Sequence, residues 1–242
     1  MRYFLDTVET IPDGLGFSLF GKEHIAWLFV GVLIIFANVL WYRKLATDGK
    51  ILWRKVTAIL LLLDEAFKMT VLFAGGNYLW SYLPLHLCSI NIFVIVWHAW
   101  KPSDFVDNFL YTICIPGAMA ALLFPAWASL PMTSGMNIHS FTVHILLVMY
   151  PVVLSLTGDI RPNIRKLPAC MGMLVLMAIP IYFLNLLLDT NFMFLMYADP
   201  GNPLAVFEKM WGSHLLGFPV IIAGVLIVMH VPIILYRKLK KV

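Results

Sequence analysis

The sequence carries little charge for its length. Asp, Glu, Lys and Arg make up 12% of its 242 residues, whereas 61% of the residues are hydrophobic. A soluble domain carries about twice that charged fraction, and a soluble fold of this length cannot hide so many apolar side chains from water. The composition therefore argues against an ordinary soluble protein and predicts that lipid surrounds much of the chain.

Several motifs that define other protein classes are also absent. Residues 1–23 lack the basic start, apolar core and small-residue cleavage site of a signal peptide, so we expect this segment to be retained. The three cysteines, Cys88, Cys114 and Cys170, are scattered and form no CxxC motif, which argues against a disulfide framework. No histidine pair has HxxxH or HExxH spacing, so the familiar helix-borne zinc motifs are missing and we expect no cofactor.

Seven apolar runs are present, each close to the ~20 residues that cross a bilayer as a helix. Open sheet edges cannot face lipid, so we predict that all seven runs are helices. The fold class is then all-α, a polytopic seven-transmembrane-helix bundle that forms a single membrane domain over residues 1–242. The expected spans are His24–Tyr42, Leu52–Phe73, Tyr82–Trp100, Phe105–Trp127, His139–Leu156, Leu167–Leu188 and Ser213–Tyr236.

The basic residues indicate how this bundle is oriented. The segments 43–55, 101, 161–166 and 237–241 together hold 13 of the 17 Lys and Arg residues. The basic side of a membrane protein is normally cytoplasmic, so we expect the C-terminus inside and the N-terminus outside. Residues 1–23 and the loop 189–212 are then extracellular. The basic tail, 237–241, is expected to contact lipid headgroups, and we expect no nucleic-acid partner.

The second predicted helix contains three charged residues within five positions, Asp64, Glu65 and Lys68. An ionised residue at the bilayer centre costs about 2.5–3.5 kcal/mol on insertion scales. Both carboxylates are spaced to reach the ammonium group, but one lysine cannot neutralise two carboxylates. This cluster is either a buried ion-pair network that fixes helix packing or the wall of a functional cavity.

Other unusual polar residues fall in the outer half of the predicted bundle. With a helical rise of about 1.5 Å per residue, Cys88 and His144 lie at similar depths below the outer ends of their helices. We expect the outer half to contain a polar cavity. Its candidate lining residues are Asp64, Glu65, Lys68, His86, Asn91, His139, Asn185 and His214.

Three kinds of chemistry fit these residues. In the first, Cys88 attacks an ester or thioester carbonyl and His144 serves as its base and later as general acid. In the second, histidines and Cys88 bind a metal, although the usual ligand spacings are missing. In the third, the charged cluster of the second helix serves a permease or sensor for a small molecule, without catalysis.

Three segments carry a resemblance to a known family: FSLFGKEHIAWL, LPLHLCSI and TNFMFLMYADPGNPL. They resemble the bacterial YwaF-type integral membrane proteins over most of the chain, although Gly21 stands where Ser is more usual. This resemblance implies a multi-pass protein of the bacterial cell membrane whose partners are membrane lipids.

The LHLC segment and the later histidine-bearing helix are also distantly similar to eukaryotic transmembrane acyltransferases that remodel phospholipids. That similarity implies a cysteine acyl-enzyme with a histidine partner. Cys88 matches the nucleophile, and His144 matches the histidine better than His139 does. The resulting expectation is lipid acyl transfer, or acyl-ester hydrolysis, in an outer-leaflet cavity.

Overall fold

A computed structural model describes residues 2–199 and 202–239 of the chain. Those residues form helices and connecting segments and include no β-strand. They divide into two compact units, Met1–Arg161 and Pro162–Val242. The expected all-α fold is therefore confirmed, while the single membrane domain remains a prediction.

The first unit is arranged around one long central helix. Helix α6 contacts α1, α2, α3 and α5, and most of its residues are buried. A π-helical turn, Leu110–Cys114, joins α4 to α5 without a break, and a 3₁₀ turn, Trp80–Tyr82, precedes α3. The helices are α1 (Lys22–Lys44), α2 (Thr47–Gly75), α3 (Leu87–Trp100), α4 (Asp104–Phe109), α5 (Ile115–Leu123) and α6 (Gly135–Thr157).

The described part of the second unit forms two long helices and one short one. These are α7 (Leu167–Leu188), α8 (Leu204–Trp211) and α9 (Gly217–Leu239), with 3₁₀ turns at Ile164–Lys166, Phe192–Phe194 and His214–Leu216. Helix α8 lies in the loop predicted to be extracellular. Part of the basic tail, residues 240–241, lies outside the described residues.

Within residues 2–199 and 202–239, six helical segments are long and apolar enough to cross a membrane. They are Lys22–Lys44, Trp80–Trp100, Asp104–Leu123, Gly135–Thr157, Ile164–Leu188 and His214–Val231. This result confirms a multi-pass membrane protein. Helix α2 is longer than any of them, at 29 residues. It is not among the six apolar segments, and it contains several charged residues.

The start of α3 differs from the sequence-based expectation. The expected span began at Tyr82, two residues before Pro84, whereas α3 begins at Leu87 after an extended N-cap residue, His86 (φ −67°, ψ 152°). A residue before proline disfavours the α conformation, and the chain stays non-helical from Leu83 to His86. As a consequence, Cys88 is the second residue of α3 and lies in its first turn.

The end of the first unit that carries most basic residues is held together by Asp159. Its carboxylate accepts hydrogen bonds from Tyr42 Oη at 2.7 Å and Arg54 Nη2 at 2.6 Å, and Lys50 Nζ lies 3.4 Å away. Partial burial alone would raise the pKa of Asp159, but the bonds from Tyr42 and Arg54 outweigh it and lower that pKa. The carboxylate thus connects the ends of α1, α2 and α6.

We expect Asp159→Asn to lower the melting temperature at neutral pH, because Arg54 and Lys50 lose their counter-charge. The lowered pKa means that the carboxylate stabilises the fold above the ordinary aspartate pKa of about 3.9. That stabilisation is lost as the pH falls through the lower folded value. The measurement is the melting temperature of the wild type and of Asp159→Asn in detergent, recorded from about pH 3 to about pH 7. Equal melting temperatures at neutral pH would contradict it.

Candidate functional site

Cys88 and His144 lie next to one another in the first unit. Cys88 comes from the first turn of α3 and His144 from α6. The thiol and the imidazole lie close enough to influence one another electrostatically. Nε2 of His144 is buried and has no hydrogen-bond partner among the described residues. Catalytic hydrogen bonds are often loose in a structure without substrate. The structure thus brings together the two residues expected to form a nucleophile and its base.

The orientation of His144 is fixed by its own helix. Nδ1 of His144 is hydrogen-bonded to the backbone carbonyl of Ser140. A carbonyl oxygen only accepts hydrogen bonds, so Nδ1 carries the proton and Nε2 of the neutral ring is left unprotonated. Nε2 is therefore the nitrogen that can take a proton from Cys88.

Cys88 lies in the first turn of α3, among backbone N–H groups at the start of that helix. The first hydrogen bond at this end of α3 runs from Ile90 N to His86 O, at 3.0 Å. N–H groups earlier in the first turn of a helix have no intrahelical acceptor, and this applies to Cys88 and Ser89. Such groups, together with the helix dipole, favour a thiolate and any negative oxygen that forms beside it.

Two of the three charged residues of α2 lie beside a histidine of α6. Lys68 and Glu65 form an ion pair within α2. Nδ1 of His139 lies 3.2 Å from Asp64 Oδ2 and 3.1 Å from the Asp64 carbonyl, while Thr142 Oγ1 donates to Asp64 Oδ1 at 2.8 Å. Thr142 therefore satisfies Oδ1 of the Asp64 carboxylate, while Oδ2 lies near His139 without a hydrogen-bond partner among the described residues. His139 is committed to this cluster, and His144 is the histidine beside Cys88.

The charged cluster and the thiol belong to one neighbourhood. Lys68 acts electrostatically on Cys88 and on His86, and Asp64 acts on His144. Cys88 and His144 are half-buried, so the thiol is not sealed in the core. The structure thus brings these residues together in the first unit, while their place in the outer half of the membrane remains a prediction.

Three further candidates have different surroundings. Asn91, one turn after Cys88, is 1% exposed, and its Oδ1 has no hydrogen-bond partner among the described residues. In the second unit, Asn185 closes the turn after α7 by accepting from Phe192 N at 2.8 Å and Thr190 Oγ1 at 3.0 Å. His214 is buried in the 3₁₀ turn before α9. A cavity role for these residues remains a prediction.

A second polar network in the first unit was not anticipated from the sequence. His98 is 1% exposed. Its Nδ1 lies 2.8 Å from Tyr150 Oη, and its Nε2 lies 2.7 Å from Asp107 Oδ1. The partners of His98 lie on α4 and α6, so no local spacing in the sequence reveals them.

The cluster does not have the geometry of a metal centre. Among the residues that the structure describes, no group of three His, Cys, Asp or Glu side chains is placed to hold a metal ion. The polar groups instead pair with one another, as thiol with imidazole and carboxylate with ammonium or imidazole. The arrangement suits proton transfer to and from a nucleophile.

Comparison with protein families places the site residues within a known family. The model of the TMEM164 family, a family of transmembrane proteins, matches residues 19–231. That range includes every residue of the site described in the first unit. No curated protein and no solved structure matches the chain.

Proposed function

This chain belongs to the TMEM164 family, and we propose that it transfers or hydrolyses lipid acyl groups through a thioester on Cys88. The observation that carries this proposal is the contact between the Cys88 thiol and the His144 imidazole, whose orientation is fixed by Ser140. The resemblance of the LHLC segment to transmembrane cysteine acyltransferases supports the same chemistry.

The proposed first step forms the acyl-enzyme. Nε2 of His144 takes the thiol proton, and the Cys88 thiolate attacks the carbonyl carbon of a lipid ester. The N–H groups at the start of α3 stabilise the tetrahedral oxyanion. As the ester C–O bond breaks, His144 returns the proton to the departing lipid oxygen, and the acyl group remains on sulfur as a thioester.

The second step releases the acyl group. A hydroxyl group of an acceptor lipid, or water, gives its proton to His144 and attacks the thioester carbonyl. The C–S bond then breaks, and the Cys88 thiolate regains a proton from His144. An acceptor lipid makes the overall reaction acyl transfer, and water makes it ester hydrolysis.

We also propose that α2 crosses the membrane, which gives seven spans with the N-terminus outside and the C-terminus in the cytoplasm of a bacterial cell. Helix α2 has 29 residues and contacts α3 and α6. Its charged residues contact other side chains, because Lys68 pairs with Glu65 and Thr142 donates to Asp64, which lies 3.2 Å from His139. The positive-inside rule supports the orientation, and membrane lipids are the proposed partners.

The test is to capture the acyl-enzyme. Purified protein is incubated with a phospholipid that carries an alkyne-tagged acyl chain, and tagged peptides are identified by mass spectrometry. We expect a hydroxylamine-sensitive tag on Cys88. Cys88→Ala abolishes it, whereas the matched variant Cys114→Ala, which lacks a fully buried thiol, retains it. A tag that persists in Cys88→Ala would overturn the proposal.

A further inference from the structure

Helices α3 and α6 touch through polar side chains at two levels. In the outer half, Cys88 of α3 meets His144 of α6. Towards the other end, His98 of α3 meets Tyr150 of α6 at 2.8 Å. His98 follows Cys88 by ten residues, about 15 Å along the helix, and Tyr150 follows His144 by six residues, about 9 Å. The two contacts therefore lie along the same helix pair.

The inner contact is well defined. The carboxylate of Asp107 accepts from Nε2 of His98 at 2.7 Å, so the neutral ring has an unprotonated Nδ1, which accepts from the hydroxyl of Tyr150. His98 and Tyr150 are essentially inaccessible to solvent, and the indole of Trp53 stacks on the Tyr150 ring at a centroid distance of 5.8 Å. The position of Tyr150 is thus fixed from three other helices: α3 contacts its hydroxyl, α4 holds the His98 ring, and α2 stacks on the tyrosine ring.

The space between the two contacts is filled with apolar side chains. Ile92 and Ile95 of α3 and Leu147 of α6 are fully buried in the same core cluster. A close-packed core transmits displacement and does not absorb it. A displacement of α3 relative to α6 at His98 is therefore expected to change the position of Cys88 relative to His144.

We propose that the hydrogen bond between His98 and Tyr150, braced by Asp107, sets the position of α3 against α6 and so holds Cys88 beside His144. His98 and Tyr150 are then positioning residues for the reaction. This inference rests on the proposed function, because it concerns the geometry of the same thiol and imidazole.

The test compares two buried tyrosines that each lose one hydroxyl. Tyr150→Phe removes the contact with His98. Tyr42→Phe is the matched control, because Tyr42 is equally buried but its hydroxyl bonds to Asp159 and not to α3. The readout is the rate of Cys88 alkylation by iodoacetamide in detergent, measured as a function of pH, together with the melting temperature.

We expect Tyr150→Phe to slow Cys88 alkylation at neutral pH severalfold and to move the pH profile towards that of an ordinary thiol. Tyr42→Phe lowers the melting temperature but leaves the alkylation profile unchanged. Equal profiles in the wild type and Tyr150→Phe, or equal slowing in both variants, would overturn the inference. His144→Ala in the same assay separates the two proposals: if it slows alkylation and Tyr150→Phe does not, the positioning role alone fails, and if His144→Ala has no effect, the proposed function fails as well.

Discussion

Replacing His144 with alanine is expected to lower the rate of Cys88 acylation by about 10²- to 10⁴-fold, the usual contribution of a positioned general base. The reason is that His144 supplies the base: its Nε2 is unprotonated and lies beside the Cys88 thiol. The rate of thioester formation from a tagged lipid, measured by quenching at timed intervals, gives the factor directly.

His139→Gln is the control for this prediction. His139 lies on the same helix, five residues away, but contacts Asp64 and Glu65. Its replacement should reduce stability while changing the acylation rate far less than His144→Ala does. If His139→Gln produced the larger loss of rate in folded protein, the assignment of the base to His144 would be wrong.

The largest effect on stability is expected for Lys68→Met. Lys68 is 4% exposed and Glu65 is 8% exposed, so the substitution leaves a buried carboxylate without its ion-pair partner. Breaking a buried ion pair from one side costs about 3–5 kcal/mol. Denaturation of the detergent-solubilised protein, followed by circular dichroism or intrinsic fluorescence, measures the change in the free energy of unfolding.

Two further variants isolate the cause of that loss. Lys209→Met removes an exposed lysine of α8 and should leave stability nearly unchanged. Glu65→Gln combined with Lys68→Met removes both charges, and we expect it to recover much of the lost free energy. A double variant that is as unstable as Lys68→Met would show that packing of the lysine chain, and not its charge, supports the fold.

The helical membrane architecture was predictable because hydropathy and charge report it directly. The pairing of Cys88 with His144 was predictable in part, since counting residues along a helix gives depth. Depth does not say which way a side chain faces, and His139 stayed an alternative until its contacts with Asp64 and Glu65 were known. From the sequence, the choice between His139 and His144 as the base for Cys88 depended only on the resemblance to known acyltransferases.

Two features could not be read from the sequence for physical reasons. Hydropathy does not distinguish an apolar helix from an apolar extended segment, so the non-helical stretch before Leu87 was included in a helix. The network of His98 depends on Asp107 and Tyr150, and the latter lies 52 positions away in the chain. Contacts between helices that are distant in the chain leave no periodic pattern in the sequence. The charged residues of α2, by contrast, stand out because charge is unusual within an apolar run.

The most direct test of the central claim is the mass of the protein after reaction with a single phospholipid. We predict that the wild type gains the mass of one acyl group less one hydrogen, located on Cys88, and that an added acceptor lipid removes it while becoming acylated. An unmodified Cys88 in folded, lipid-bound protein would contradict the account, and so would acyl transfer that continues in Cys88→Ala.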